Sequence, residues 1–125
     1  MTPSRTLVAE ATRRSGVVWV SADGRDPRLV WHVWHDDACW LVGGGDEQDL
    51  PALADRAVVV VRSKASQSDR VVTWDADVTT VEPGTPAWDE VVPLLVAERL
   101  NAGTADLAAT WARASTVLRL SPAAP

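Results

Sequence analysis

Seven tryptophans and no tyrosine or phenylalanine in 125 residues set the terms on which this chain can fold. An indole buries much apolar area and brings one N–H donor with no acceptor, so each needs a dry place and, as a rule, one partner. Three of the seven fall within Arg28-Leu-Val-Trp31-His-Val-Trp34-His-Asp-Asp-Ala-Cys-Trp40-Leu-Val42. Strand side chains alternate, so Leu29, Trp31 and Val33 point one way and Val30, His32 and Trp34 the other. Both sets are largely apolar. An antiparallel sheet usually wets one face, so two dry faces predict a barrel wall covered outside by a helix or a second subunit.

The length suits one domain, 1–125, with a single real core. Seventeen acids against twelve bases give a formal charge of -5, which repels a phosphate backbone and argues against nucleic acid as a partner. One cysteine, Cys39, excludes an intrachain disulfide. With only His32 and His35 beside it there is no metal-binding set, and an inert buried thiol is expected. The start lacks the basic and apolar stretches of a signal peptide, and the longest aliphatic run, Ala57 to Val61, is far short of the roughly 20 residues that span a bilayer. A cytoplasmic location with no membrane contact is the expectation.

Along the chain, Ser4 caps a short helix over 4–14. Val17 to Val20 reads as a strand closed by the turn Ala22-Asp-Gly24. A second strand, Leu29 to Trp34, turns tightly at Asp36-Asp37 into a third, Cys39 to Val42, completing an antiparallel meander. Gly43-Gly-Gly45 ends it, and Asp46 to Leu53 reads as a short helix whose acids suit its positive end. Arg56 to Arg62 is a buried strand on its valines. Arg70 to Val81 alternates Val72, Trp74, Ala76 and Val78 with Thr73, Asp75, Asp77 and Thr79, so one face is wet. Thr85 and Pro86 open a helix towards Asn101, interrupted or kinked near Pro93 and stopped by Gly103. A second helix covers Thr104 to Ala114, with Leu107 and Trp111 on one face. Thr116 to Leu120 is a last strand before a frayed tail.

This order, with Gly16-Val-Val-Trp-Val-Ser21, Val30-Trp-His-Val-Trp34, Glu47-Gln48, Leu50-Pro51, Arg62-Ser-Lys64, Trp74-Asp-Ala-Asp-Val78, Arg99-Leu100 and Val117-Leu-Arg-Leu-Ser-Pro122, resembles the flavin-binding split-barrel superfamily that includes pyridoxamine 5'-phosphate oxidase. It is similar to compact members common in actinobacteria. The resemblance implies a mainly β (α+β) fold, a six-stranded antiparallel split β-barrel with peripheral helices. It also implies a homodimer with FMN, or a deazaflavin coenzyme, in the groove between subunits. By position, Trp31, His32 and Val33 would flank the ring, Gly43 and Gly44 would approach the ribityl chain, and Gln48 would lie near the phosphate.

In that family serine or threonine with arginine or lysine holds the phosphate near the short helix, whereas this chain places Asp46, Glu47, Gln48 and Asp49 there. A flavin phosphate carries roughly two negative charges. Each carboxylate about 4 Å away costs on the order of 1 kcal/mol in water and several times that when partly buried. Arg62, Ser63 and Lys64 at a strand end, or arginines of a second subunit, could replace the missing cations. The same three residues also suit a solvated strand end that discourages edge pairing. The tryptophan cluster has a parallel alternative as packed core or dimer seam.

Two functions follow. One is an FMN- or deazaflavin-dependent oxidoreductase in which the cofactor supplies the redox chemistry. The other is a cofactor-free split-barrel dimer that binds a ligand or a partner. The fold resemblance supports the former, which is the leading reading, and the acidic 46–49 segment with the absence of a recognisable proton donor supports the latter as the alternative.

Overall fold

The computed structural model describes residues 3–65, 68–99 and 106–124, with backbone alone for 63–65 and 68–70. Ser4 accepts from the Leu7 amide and opens α1, Arg5–Arg14. Seven strands follow, not six: β1 Val17–Ser21, β2 Arg28–Trp31, β3 Val33–His35, β4 Ala38–Gly43, β5 Arg56–Ala65, β6 Ser68–Val81 and β7 Thr116–Pro122. Two helices, α2 Pro86–Glu98 and α3 Leu107–Ala114, lie between β6 and β7. Thr85 caps α2, which continues through Pro93 to Glu98. The expected helix limits at Asn101, Gly103 and Thr104 lie outside the described residues.

The extra strand comes from a break. The expected single strand Leu29–Trp34 divides at His32, and its halves go to different neighbours: β2 pairs with β1, and β3 pairs with β4. All pairings are antiparallel, in the order β2-β1-β5-β6-β7-β4-β3. The two ends of that order are adjacent in sequence, so the sheet curls round and is joined through His32 into a nearly closed barrel. Asp36 and Asp37 adopt φ of 51° and 56°. That is the left-handed pair a two-residue hairpin needs, which short polar side chains tolerate.

Two dry faces are present, and each belongs to its own core. Inside the barrel, Val18, Val20, Val30, Leu41, Val59, Val61, Trp74 and Leu120 pack with Val8 and Ala11 of α1. Outside, Trp40, Val42 and Val117 meet Trp88, Val91 and Leu95 of α2 and Leu107 and Trp111 of α3. Trp31 and Val33 pack against the outer core and Trp34 against the inner one. Every residue of β4 is therefore buried. Inside the barrel Trp34 meets Trp74 edge to face, at 6.2 Å and 86°.

The expected helix over Asp46–Leu53 does not form. Gly44 and Gly45 take positive φ, 82° and 63°, and a tight loop closes with the Gly44 amide donating to the Gln48 carbonyl at 3.0 Å. A helix here would carry Pro51 in its interior, where the ring clashes with the Glu47 carbonyl and no N–H exists to bond it. The segment runs on extended instead, and Leu50 lies over Gly43. A Cβ added at Gly43 would run into the Leu50 side chain and lie 2.8 Å from the Gln48 carbonyl. Gly43→Ala is expected to cost about 1–3 kcal/mol by overpacking. Gly16→Ala, where nothing lies within 4 Å, should change stability by no more than about 0.5 kcal/mol. Urea denaturation of the two variants checks both.

Candidate functional site

The break in the barrel wall is bridged by one side chain. The Trp31 amide donates to Gln48 Oε1 at 2.9 Å, and Gln48 Nε2 donates to the carbonyls of Trp31 at 3.0 Å and Val42 at 3.1 Å. The carboxamide thus offers Trp31 the donor and acceptor a neighbouring strand would supply, and ties β2 to β4 across the gap. Beside it Glu47, with a side chain only 5% exposed, grips Arg99 at the end of α2. Arg99 Nε donates to both carboxylate oxygens, at 2.8 and 3.0 Å. That bond pushes the guanidinium pKa up, more than burial lowers it. The acids of 46–49 therefore serve the scaffold in part.

His32, at the break itself, is 7% exposed. Its Nε2 lies 2.8 Å from the Thr12 carbonyl in α1. A carbonyl only accepts, so Nε2 carries the proton and Nδ1 is a bare acceptor. Among the described residues Nδ1 has no partner, and neither has the Thr12 hydroxyl. Burial pulls the His32 pKa below its ordinary value, against opposing effects of the Thr12 bond and of Glu98.

These groups line a cavity of about 430 Å³, walled by Gly16, Val17, Trp31 and His32 on one side and by Asp46, Glu47, Gln48, Glu98 and Arg99 on the other. Three of the sequence candidates, Trp31, His32 and Gln48, come together here. Val33 lies with His32 on a neighbouring cavity of about 300 Å³ that also meets Arg13, Arg14 and Glu98. Gly43 and Gly44 line a third, about 350 Å³, beside Leu50 and Pro51.

Arg62 is exposed on β5 opposite Val71 and lines none of these cavities. The side chains of Ser63 and Lys64 lie outside the described residues. A further cavity, about 550 Å³, opens at the start of α1 between Arg5, Arg56 and Trp74. Its arginines already face Asp37 and Asp77, and it holds no candidate residue. Cys39 is fully buried, which pushes its thiol pKa up and leaves it inert. No cluster of metal-ligating side chains occurs among the described residues.

Sequence reading did not assign roles to Thr12, Glu98 or Arg99. Arg99 meets Glu47 across 52 positions, and no local pattern announces such a pair.

The lining of this cavity does not suit a terminal phosphate. Three carboxylates stand against one guanidinium, which Glu47 already holds. The loop that replaces the helix offers no helix-end amides, and the Trp31 amide is taken by Gln48.

Two outcomes test this geometry. Gln48→Glu keeps the shape but cannot donate to two carbonyls while ionised, so about 1–3 kcal/mol of stability is expected to be lost at neutral pH. The carboxyl is stabilised protonated there, so the deficit against wild type should shrink as the pH falls from neutral towards about 4.3, the ordinary glutamate value, and level off below it. The second concerns His32, whose lowered pKa means that below its ordinary value of 6.5 the unfolded chain takes up a proton the folded one refuses. Stability from this group is intact above that pH and falls below it. The urea midpoint of His32→Gln should therefore lie nearer to wild type at about pH 5.5 than at about pH 7.5.

No match was found among protein-family models or curated proteins. Solved structures do match over nearly the whole chain. HutZ, the heme storage protein of Vibrio cholerae, aligns with a TM-score of 0.64 at 11% identity, covering 100% of this chain and 93% of its own. An FAD-binding protein of Mesorhizobium loti gives 0.62 at 12% identity, with 99% and 91% covered. A candidate pyridoxamine 5'-phosphate oxidase of Listeria innocua gives 0.60 at 9% identity, with 96% and 94% covered. Likeness at that identity speaks to the backbone alone. In architecture, the chain is a split β-barrel similar to these structures.

Proposed function

We propose that this protein is a split-barrel homodimer that binds a flat heteroaromatic ligand of the flavin type against Trp31, and that its present role is binding rather than catalysis. The observation that carries the reading is the meeting of Trp31, His32 and Gln48 on one cavity at the break in the barrel wall. Binding sites commonly pair such a flat apolar wall with a few fixed polar groups. Among the lining residues, Gln48, Glu47 and Arg99 are engaged in the scaffold and His32 is buried against Thr12, while Asp46 and Glu98 are exposed carboxylates.

The dimer reading rests on an outer sheet face. Leu29 pairs with Trp19 and Trp31 with Val17 across β1 and β2, and Trp19 pairs with Val60 on β5. Leu29, Trp19 and Val17 are 51%, 37% and 44% exposed, and Val71 on β6 is 55% exposed. An apolar face of this kind, with an indole at its middle, is the composition of a subunit seam. Val17 and Trp31 belong both to this face and to the cavity wall, so a second copy docked here would complete the groove.

A second reading, an FMN- or deazaflavin-dependent oxidoreductase, draws on the full-length likeness to an FAD-binding protein. It requires a further cation, and among the described residues Arg62 on the outer face, reaching across from the second copy, and Arg13 and Arg14 on the neighbouring cavity are candidates.

Light scattering after size exclusion is expected to give a dimer. Trp19→Glu with Leu29→Glu should give a folded monomer, because both charges would be buried unpaired in the seam. Titration with flavins should quench tryptophan emission in the wild type. A monomeric wild type that no flavin quenches would sink the proposal.

A further inference from the structure

We infer that the Trp31–His32–Gln48 cavity selects flat ligands that donate hydrogen bonds and carry no phosphate, so that a riboflavin-like or cationic heteroaromatic is its chemical class. The inference rests on the binding reading above and deepens it. It begins from a count of hydrogen-bonding capacity around one cavity. Its lining holds the carboxylates of Asp46, Glu47 and Glu98 against the guanidinium of Arg99, an excess of two negative charges. Arg99 is bound to Glu47 through both carboxylate oxygens. Gln48 has spent both amide hydrogens, on Trp31 and Val42, and its oxygen holds the Trp31 amide. The Gln48 amide hydrogens and the Arg99 Nε–H of this wall are therefore committed.

What it still offers is acceptance. Asp46 and Glu98 stand on this lining as exposed carboxylates, and His32, shared with the neighbouring cavity, keeps a buried, unpartnered Nδ1 lone pair because its proton sits on Nε2 against Thr12. An unpaired buried acceptor is costly, and a ligand N–H or O–H that reaches it recovers that cost. A ring carrying N–H donors, or an amino-substituted cationic ring, meets this acceptor and the carboxylates with matching signs. A phosphate brings only acceptors and about two negative charges to the same wall. The discrimination is one of repulsion as much as attraction.

Riboflavin and FMN share one chromophore and differ in the phosphate alone, so their ratio isolates that group. Equilibrium dialysis of the full-length protein against riboflavin, FMN and the cationic acridine proflavine is expected to give FMN at least about tenfold weaker than riboflavin, and proflavine at least as tight as riboflavin. Asp46→Asn with Glu98→Gln, both exposed and safe for folding, should narrow the FMN gap and weaken proflavine. FMN equal to or tighter than riboflavin would overturn the inference and leave the ring site standing. That outcome, lost on Arg62→Ala, would assign the phosphate to the second subunit. Binding of none of the three would overturn the inference together with the binding reading beneath it.

Discussion

The carboxamide of Gln48 does for this barrel what a strand would otherwise do. Where β2 parts from β3, Trp31 turns its amide and carbonyl away from β1 towards a gap, and both are met by one side chain that also holds Val42 on the far side. A backbone donor and acceptor left unmet in so dry a place would cost several kcal/mol between them. Much else follows from that bond. It fixes the 44–50 loop, which brings Glu47 to Arg99 and so ties the end of α2 to the barrel. It also sets the wall of the cavity in which Trp31 and His32 meet.

The same economy explains why this loop presents so little to a phosphate. Its positions 47 and 48 carry a carboxylate that anchors a helix and an amide that stitches strands. The loop's polar capacity is directed at the protein. What remains facing the cavity is the complement of an anion site.

Much of the fold was legible because it is written in local chemistry. Ser4, Thr85 and the Asp36-Asp37 pair announce their caps and turn, and the valines of β5 and the alternation in β6 announce their strands. The two dry faces expected of the tryptophan-rich stretch are found at β4, which is buried throughout, but not at the start of β2, where Leu29 is 51% exposed. The break at His32 was not legible, since nothing in Val30-Trp-His-Val-Trp34 tells a straight strand from one that changes partners. The 46–53 segment misled because its acids suit a helix start, and Pro51 weighed too little against them. The resemblance named Trp31, His32 and Gln48, and the structure brings those three onto one cavity. The roles of Thr12, Glu98 and Arg99 depend on contacts between residues far apart in sequence.

Strand β4 has no wet side: Cys39 and Leu41 belong to the barrel interior, and Ala38, Trp40 and Val42 to the layer beneath α2 and α3. It is a party wall. Neither room can be rebuilt without disturbing the other, so the helical layer is no detachable ornament on a self-sufficient barrel. Barrel and helices should melt in a single cooperative step. A ligand lodged between Trp31 and Arg99 would press on both rooms at once.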